Sequence, residues 1–511
     1  MASGFVIRPA TLLAASLLGI VSTTQAQPIH VSAEGIGQVL IYPYYTTRNG
    51  WTTLLSIVNN DAANGKAIKV RFLEGKNGAL VASLNVFLAA NDIWTGAVAA
   101  GSADDQPPRL LSNDTSCTWP NIRAQRTTSE TGVIVTAPNL TLSNQAYVAD
   151  GDSVAQQTID RTREGYVEAI EMASIPVNRT MLSPLTQQID SGGYYYSPPP
   201  SCLALTDADL FRYAGDVIAP KGGLSGSATL VNVTGGASAD YVAVALDAFW
   251  TAAAASSLGL TTSASALPNL TSGGNLTAQN AHRGKTYFSS FNRSIDAVSA
   301  VLMNEQLLGE HAYTSDSSIG TTWVVTDPTK RFYTQGASAP PFSSAWNGSA
   351  GNACDEIELI SSDRAGIVLD ESTDFGVRPF RPLRALCFAA GTLNFGGVTT
   401  TGRELIFNST NSYAYSAGQD GGHFAVPVGM EGGKTRLTPK TSFALLTSIS
   451  GSVISVDAGT GTASIAVGPH TFYGLPMIGV AFTQSSLKLG NPQQNFASGY
   501  RLQSTRRITS P

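Results

Sequence analysis

Charge is the first thing this chain of 511 residues is short of. Asp, Glu, Lys and Arg together make up 13% of it, about half the usual share of a soluble protein. Surface helices carry many charges while strands and turns need few, so the deficit argues against a helical protein. No run of like charge is long enough to form a solvated tail. The formal net charge is −5, so there is no basic excess to neutralise phosphates, and nucleic acid is set aside as a partner. No two cysteines stand in a CxxC spacing, which disfavours a zinc or redox-dithiol motif. The five histidines, His30, His282, His311, His423 and His470, include no i, i+4 pair, so the helical metalloprotease spacing is missing. Beyond the N-terminal segment no apolar run reaches the roughly 18 residues of a spanning helix.

Nucleotide and hydrolase signatures also fall short. A P-loop needs a glycine five positions before Gly-Lys-Ser/Thr, so that successive N–H groups ring the phosphates. Gly284-Lys285-Thr286 has Gln279 there, and Gly433-Lys434-Thr435 has Val428. Both are expected to be exposed turns. Gly223-Leu224-Ser225-Gly226-Ser227 approaches the G-x-S-x-G elbow but ends in serine, and is expected to open a strand instead. Asp150-Gly151-Asp152 and Asp207-Ala208-Asp209 could offer oxygens to calcium, without the twelve-residue loop and closing Glu of an EF-hand. Glu164, Glu168 and Glu171 could pair as a glycosidase acid and base only if folding set their separation. The expectation for them is a solvated strand face. No catalytic residue, cofactor or metal ligand is assigned, and the chain is expected not to be an enzyme.

Glycine and short apolar stretches are what the chain has in plenty. There are 50 glycines, and 43% of residues are hydrophobic. Glycine serves turns, because it adopts φ > 0 without steric cost. The block from Gly35 to Trp94 sets the pattern. Gly37 to Tyr45 is an apolar, aromatic run, Asn49-Gly50 is a hairpin signal, and Trp51 to Asn59 is the expected return strand. Ile68, Val70 and Phe72 alternate with Lys69 and Arg71, and Leu84, Val86 and Leu88 alternate with Ser83 and Asn85. Such alternation predicts one face in a core and one face in water. Arg163–Met172 reads as a strand or a helix, and strand is favoured; strands are also predicted at Gly226–Val233, Tyr241–Trp250, Ala297–Met303, Trp323–Thr326, Phe443–Ile449, Val453–Val456 and Ala463–Val467, and Phe472–Phe482 is the most apolar stretch after residue 26. Residues 251–280 read as a surface loop or small helix. The fold class expected is all-β, with two or more antiparallel β-sandwich (Ig-like) units joined by long loops.

The N-terminus reads as a signal peptide over residues 1–26. Arg8 supplies its positive n-region, Ala10 to Val21 is apolar, and Thr24-Gln25-Ala26 is a small-x-small cleavage site. Export, with an even count of four cysteines, predicts disulfides. Three pairings are possible. Cys117–Cys202 and Cys354–Cys387 are favoured because each closes a loop within one expected domain. Those domains are 27–218 and 219–511, the second with a sub-division near 390. Thr229-Leu230-Val231-Asn232 echoes Thr53 to Asn59, which hints at duplication. Tyr42, Tyr44 and Tyr45 are expected in a core. Tyr194, Tyr195 and Tyr196 precede Pro198-Pro199-Pro200 and are the candidate exposed interaction surface.

At GQVLIYPYYT, KVRFLEG, REGYVEAIEM, DAVSAVLMNE, WVVTDPTKRFY and FYGLPMIGVAF, the chain resembles a family of exported β-rich proteins of Gram-negative bacteria. The resemblance covers most of the chain after residue 26. It implies export and an all-β fold, and brings no catalytic residue, because no activity is established for that family. The expected function is that of a structural or interaction protein at the cell surface or outside the cell, with the periplasm as a further location. Its expected partners are itself or other surface proteins, through exposed strand edges. Glycan binding or hydrolysis is one alternative and an outer-membrane β-barrel another, although several strands are shorter than the roughly ten residues of barrel strands.

Overall fold

The computed structural model describes residues 27–510 apart from 104, 123–124, 130–131, 137–138, 180–213, 313, 315–318, 370–383, 397–406, 408, 411–422, 426–431, 441, 457–461 and 488–493. The protein is all-β, built from stacked sheets that are antiparallel but for one short strand pair. A seven-stranded sheet runs in the order His30–Val31, Val244–Asp247, Val39–Thr46, Glu164–Pro176, Asn64–Glu74, Leu80–Leu88, Cys117–Trp119. An N-terminal six-stranded sheet runs Leu140–Thr141, Arg109–Leu111, Ile93–Ala99, Trp51–Asn59, Leu224–Asn232, Ala237–Val242. The two enclose a core of Leu40, Tyr42, Tyr44, Val70 and Phe72 from the first against Trp51, Ile57, Trp94, Val98 and Leu230 from the second. The three N-terminal tyrosines are thus core residues, as expected.

Asn49 and Gly50 do adopt positive φ, at 50° and 74°, but they do not make the predicted hairpin. Val39–Thr46 lies in the seven-stranded sheet and Trp51–Asn59 in the facing one. The turn is an arch between sheets. Thr53 fixes it, its Oγ1 accepting from the Thr46 N–H at 2.9 Å and donating to the Thr46 carbonyl at 3.0 Å. Both flanking strands carry aromatic residues toward the same core, and facing sheets bury both sets where a flat hairpin would bury one.

Val39–Thr46 is buried along its whole length. Leu40, Tyr42, Tyr44 and Tyr45 enter the sandwich core, while Val39 and Ile41 enter a second core on the other side. That explains an unbroken apolar run, as in sheets covered on both faces. Pro43 is tolerated because the register with Glu164–Pro176 skips between Tyr45 and Tyr42, leaving proline opposite no ladder acceptor.

The C-terminal part adds a second stack. A five-stranded sheet runs His423–Ala425, Ala390–Gly396, Ile319–Thr326, Ile478–Leu487, Gln494–Arg501. A C-terminal six-stranded sheet runs Val368–Leu369, Asp355–Asp363, Gly432–Pro439, Gln306–Ala312, Gln503–Thr505, with Arg384–Leu386 also paired to Asp355–Asp363. Trp323, Leu393 and Phe395 of one meet Leu307, Leu359 and Leu437 of the other in the second core. Val324, Val480 and Phe482 reach back into the first core.

Three expectations are revised here. Strands Leu224–Asn232, Ala237–Val242 and Val244–Asp247 complete the first two sheets, so these run across the expected boundary at 218/219. Thr229–Asn232 pairs antiparallel with Trp51–Leu54, so the echoing phrases are neighbours in one sheet. The predicted strand at Ala297–Met303 is a helix, Ser294–Leu302, with every residue from Ile295 onward buried. An Ala- and Val-rich run buried on all sides has no periodicity to separate helix from strand.

Cys354–Cys387 is formed as expected. Cys117 is also disulfide-bonded, and Cys202 lies outside the described residues. The Gly223–Ser227 segment opens strand Leu224–Asn232, as expected. A Cβ at Gly226 would run into the Tyr42 hydroxyl, which donates to the Ser56 carbonyl at 2.6 Å. Gly226→Ala should therefore cost about 1–3 kcal/mol through overpacking. Ser225→Ala should stay within about 0.5 kcal/mol, both read as urea midpoints at unchanged slope.

Candidate functional site

The three glutamates of strand Glu164–Pro176 are all buried, which overturns the expected solvated face. Lys66, Lys69 and Arg71 on the neighbouring strand are buried with them. The segment around residues 261–263 covers this side of the sheet. Lys69 Nζ donates to the Thr262 carbonyl at 2.6 Å, Ser83 Oγ to the Ser263 carbonyl at 2.7 Å, and Asn85 Nδ2 to the Thr261 carbonyl at 2.8 Å. The small, uncharged residues of that loop let its backbone lie close and present carbonyls to the charges.

Each glutamate has cationic partners. Arg71 pairs with Glu168, its cross-strand neighbour. Lys66 sits between Glu171 at 3.2 Å and Asp61 at 2.9 Å. Glu171 also accepts from the backbone N–H groups of Lys221, at 3.1 Å, and Gly222, at 2.7 Å. Burial pushes the Glu168 and Glu171 carboxyls up, against the pull of Arg71 and Lys66. Burial also acts to raise Asp61, but donors from Lys66, Asn64 and the Ala63 N–H outweigh it and hold that carboxyl at about 2.

Glu164 is held by Arg48 Nε at 2.8 Å, Tyr44 Oη at 2.9 Å and Ser409 Oγ at 2.6 Å. Arg48 is the residue of the arch, and it also forks onto Asp160 at 2.7 and 2.9 Å. A parallel knot surrounds Arg161. Its Nε donates to Glu74 at 3.2 Å and its Nη1 to Asp152 at 2.5 Å, and its guanidinium stacks 3.9 Å from the Tyr147 ring centre. Asp152 also accepts from the Trp346 indole at 2.7 Å, while Asp150 takes a two-pronged contact from Arg331. The aspartates considered for calcium are thus occupied by arginines, and Asp207 and Asp209 lie outside the described residues. The described residues contain no group of three or more potential metal ligands. Glu164, Glu168 and Glu171 are closed off by protein, whereas a proton-transfer carboxylate needs access to a substrate.

Several other motif residues lie in turns, strands or the core. Gly284 turns the hairpin between Thr277–His282 and Lys285–Ser290. Thr435 is buried inside strand Gly432–Pro439, not in the expected turn. His311 stacks on Phe395 at 5.1 Å between centroids, and its Nδ1 lies 3.0 Å from Thr435 Oγ1. His470 is buried against Ser289 Oγ at 2.8 Å. Tyr194, Tyr195 and Tyr196 lie outside the described residues.

Among the described residues, two surface features stand apart from these internal ties. A cleft of about 650 Å³ opens between the edge strand Ala237–Val242 and strand Gln494–Arg501, lined in part by Glu34, Asp240, Tyr241, Tyr500 and Arg501. Gly499 allows this close approach, since a Cβ there would collide with the Asp240 carbonyl. The second feature is the edge of a four-stranded sheet ordered Thr277–His282, Lys285–Ser290, Ser450–Val456, Ala463–Val467. All five residues of Ala463–Val467 are exposed, Ile465 at 67% and Val467 at 83%. The other edge is covered, because Ile29 bridges Ala278. Edge strands are normally protected by charge, proline or a bulge, and Ala463-Ser464-Ile465-Ala466-Val467 has none of these. It was expected to be a strand from the sequence, but its edge position depends on the sheet order.

Comparison with protein-family models, curated proteins and solved structures finds no match.

Two measurements test this account of the charges. Arg161→Met strands Glu74 and Asp152 in the interior and should cost about 3–5 kcal/mol. Arg293→Ala breaks a half-exposed pair with Asp296 and should cost less than about 1 kcal/mol. Urea unfolding at neutral pH compares them. His311 supplies a pH signature. Burial pushes its pKa down to about 4, while in the unfolded chain it titrates near 6.5. The unfolded state then binds more protons between these values, so stability rises with pH from about 4 to about 6.5 and is lost again on acidification. His311→Gln should flatten that part of the pH–stability curve, by on the order of 3 kcal/mol.

Proposed function

We propose that this is an exported structural or interaction protein of the cell surface or extracellular space that associates through an open sheet edge, without catalytic activity. The carrying observation is the strand Ala463–Val467, exposed along its length and free of charge. A strand in that position offers unpaired N–H and C=O groups at ladder spacing, and exposed Ile465 and Val467 add apolar contact. A second copy of the same edge is the partner favoured. Two such strands can pair antiparallel about a two-fold axis centred near Ile465, burying the same residues on both sides. Export draws on the leader-like N-terminus and on the disulfides, and no described helix is long and apolar enough to cross a membrane.

Glycan binding is retained as a second reading because of the cleft, where the partly exposed Tyr500 stands beside Glu34, Asp240 and Arg501. Aromatic faces with neighbouring polar groups suit sugar rings. The glutamates that first motivated a glycosidase play no part in it, being buried. Among the described residues no sheet closes on itself, so nothing is added in favour of a membrane barrel.

Sedimentation velocity of the purified protein across a concentration series, with fractionation of the producing cells, separates these readings. Self-association that Ile465→Lys reduces by tenfold or more, at unchanged melting temperature, is the expected result. A wild type that stays monomeric and never fractionates with the surface removes the proposal. Hits on a glycan array that Tyr500→Ala abolishes would favour the second reading.

A further inference from the structure

Three charged groups next to the Cys354–Cys387 disulfide do not behave like the ion pairs above. Lys330 Nζ lies 2.9 Å from Asp355 Oδ2 and 3.0 Å from the Leu386 carbonyl. Asp355 Oδ1 accepts from the Ser343 N–H at 2.6 Å and from Ser343 Oγ at 2.7 Å. Asp327, on the same turn as Lys330, is fully buried, and neither of its carboxyl oxygens has a hydrogen-bond partner. The surroundings are apolar, with Phe342 under the ammonium at 5.2 Å and Tyr333, Ala389 and Ala390 buried around the turn. The buried carboxylates described above each bond at least one cation. Here Asp355 alone takes the lysine, and Asp327, on the same turn, is left bare.

A lone buried carboxylate is costly, so such a group takes up a proton instead. Burial, aided by Asp355 and opposed by Lys330, pushes the Asp327 carboxyl up to about 7. Asp327 is thus a buried acid on the turn of Lys330, within electrostatic range of an amine held against a carboxyl, and rotation of its unpartnered carboxyl onto Nζ would let it carry a proton between them. Ser343 holds the other oxygen of that carboxyl with two donors, the geometry that stabilises negative charge on a carbonyl oxygen under attack. Fixed proximity of the two reacting groups removes much of the entropic barrier to their condensation.

We propose that Lys330 and Asp355 condense after folding into an intramolecular amide, a covalent cross-link between Nζ and Cγ, with Asp327 relaying the protons. One proton passes from the ammonium to the Asp355 carboxylate, which yields a neutral amine and a neutral acid. The Nζ lone pair then adds to Cγ, and the N–C bond forms while negative charge collects on the Oδ1 held by Ser343. The Cγ–Oδ2 bond breaks, and the hydroxyl leaves as water with the proton of Asp327. Nitrogen returns a proton to Asp327, so the net change is amine plus acid giving amide plus water. No oxidant or cofactor is required. The cross-link would lie beside the disulfide, because Asp355 follows Cys354 and pairs in register with Leu386, which precedes Cys387.

Mass spectrometry of the intact, reduced and denatured protein tests this, together with a protease map that establishes its N-terminus. The expected wild type is lighter than its sequence by one water, and one branched peptide joins the segments bearing Lys330 and Asp355. Hydroxylamine, which opens succinimides but not amides, should leave that peptide intact. Lys330→Met and Asp355→Ala should restore the full mass, and Asp327→Asn should leave most molecules uncondensed. A folded, oxidised wild type at full mass, with separate peptides for Lys330 and Asp355, overturns the proposal whatever the variants do. Complete condensation in Asp327→Asn overturns the role given to Asp327.

Discussion

A charged sheet face taken out of water is the constraint on which the rest of this structure depends. The strand Glu164–Pro176 occupies the middle of the seven-stranded sheet, and all but its last residue is buried. Burying Glu164, Glu168 and Glu171 without partners would cost several kcal/mol each. Each is therefore met by a cation from another segment: Arg48 from the arch, Arg71 and Lys66 from the neighbouring strand. Pairs like these add little net stability over an apolar core, but once buried they penalise any arrangement that separates them. They tie loops from distant parts of the chain to one sheet.

That requirement accounts for several local features. The arch at Asn49-Gly50 is anchored by Arg48 reaching Glu164 and Asp160. Backbone carbonyls of Thr261, Thr262 and Ser263 cover Asn85, Lys69 and Ser83, giving a low-complexity segment a defined place. Gly165 sits where any side chain would strike the Leu73 carbonyl, which lets the central strand and its neighbour approach closely beside the charge pairs. Inside, the charge is immobilised. Outside, the four-stranded sheet ends in a strand with no charge at all.

Much of the β-architecture was legible in the chain. Alternation at Ile68, Val70 and Phe72 predicted which residues enter the sandwich core, and the tyrosines near residue 42 were placed there too. Cysteine spacing led to Cys354–Cys387. The helix Ser294–Leu302 was missed because a segment buried on every side shows no period. The wet face assigned to Lys69, Arg71 and Glu168 was misread for a related reason. Alternation reports that two faces differ in polarity, and it cannot report that a loop nearly two hundred residues away will cover the polar one.

The sequence by itself determined the fold class, most of the strands, a disulfide and the shortage of charge, because these follow from periodicity, turn chemistry and composition, which are local properties. The tertiary structure alone decided which strands share a sheet, that the charged face is internal, that Asp327 is left beside Lys330 and Asp355, and that Ala463–Val467 is an edge. Those depend on contacts between residues far apart in the chain. Burial and electrostatic partnership are properties of the surroundings, and a residue's surroundings exist only once the chain has folded.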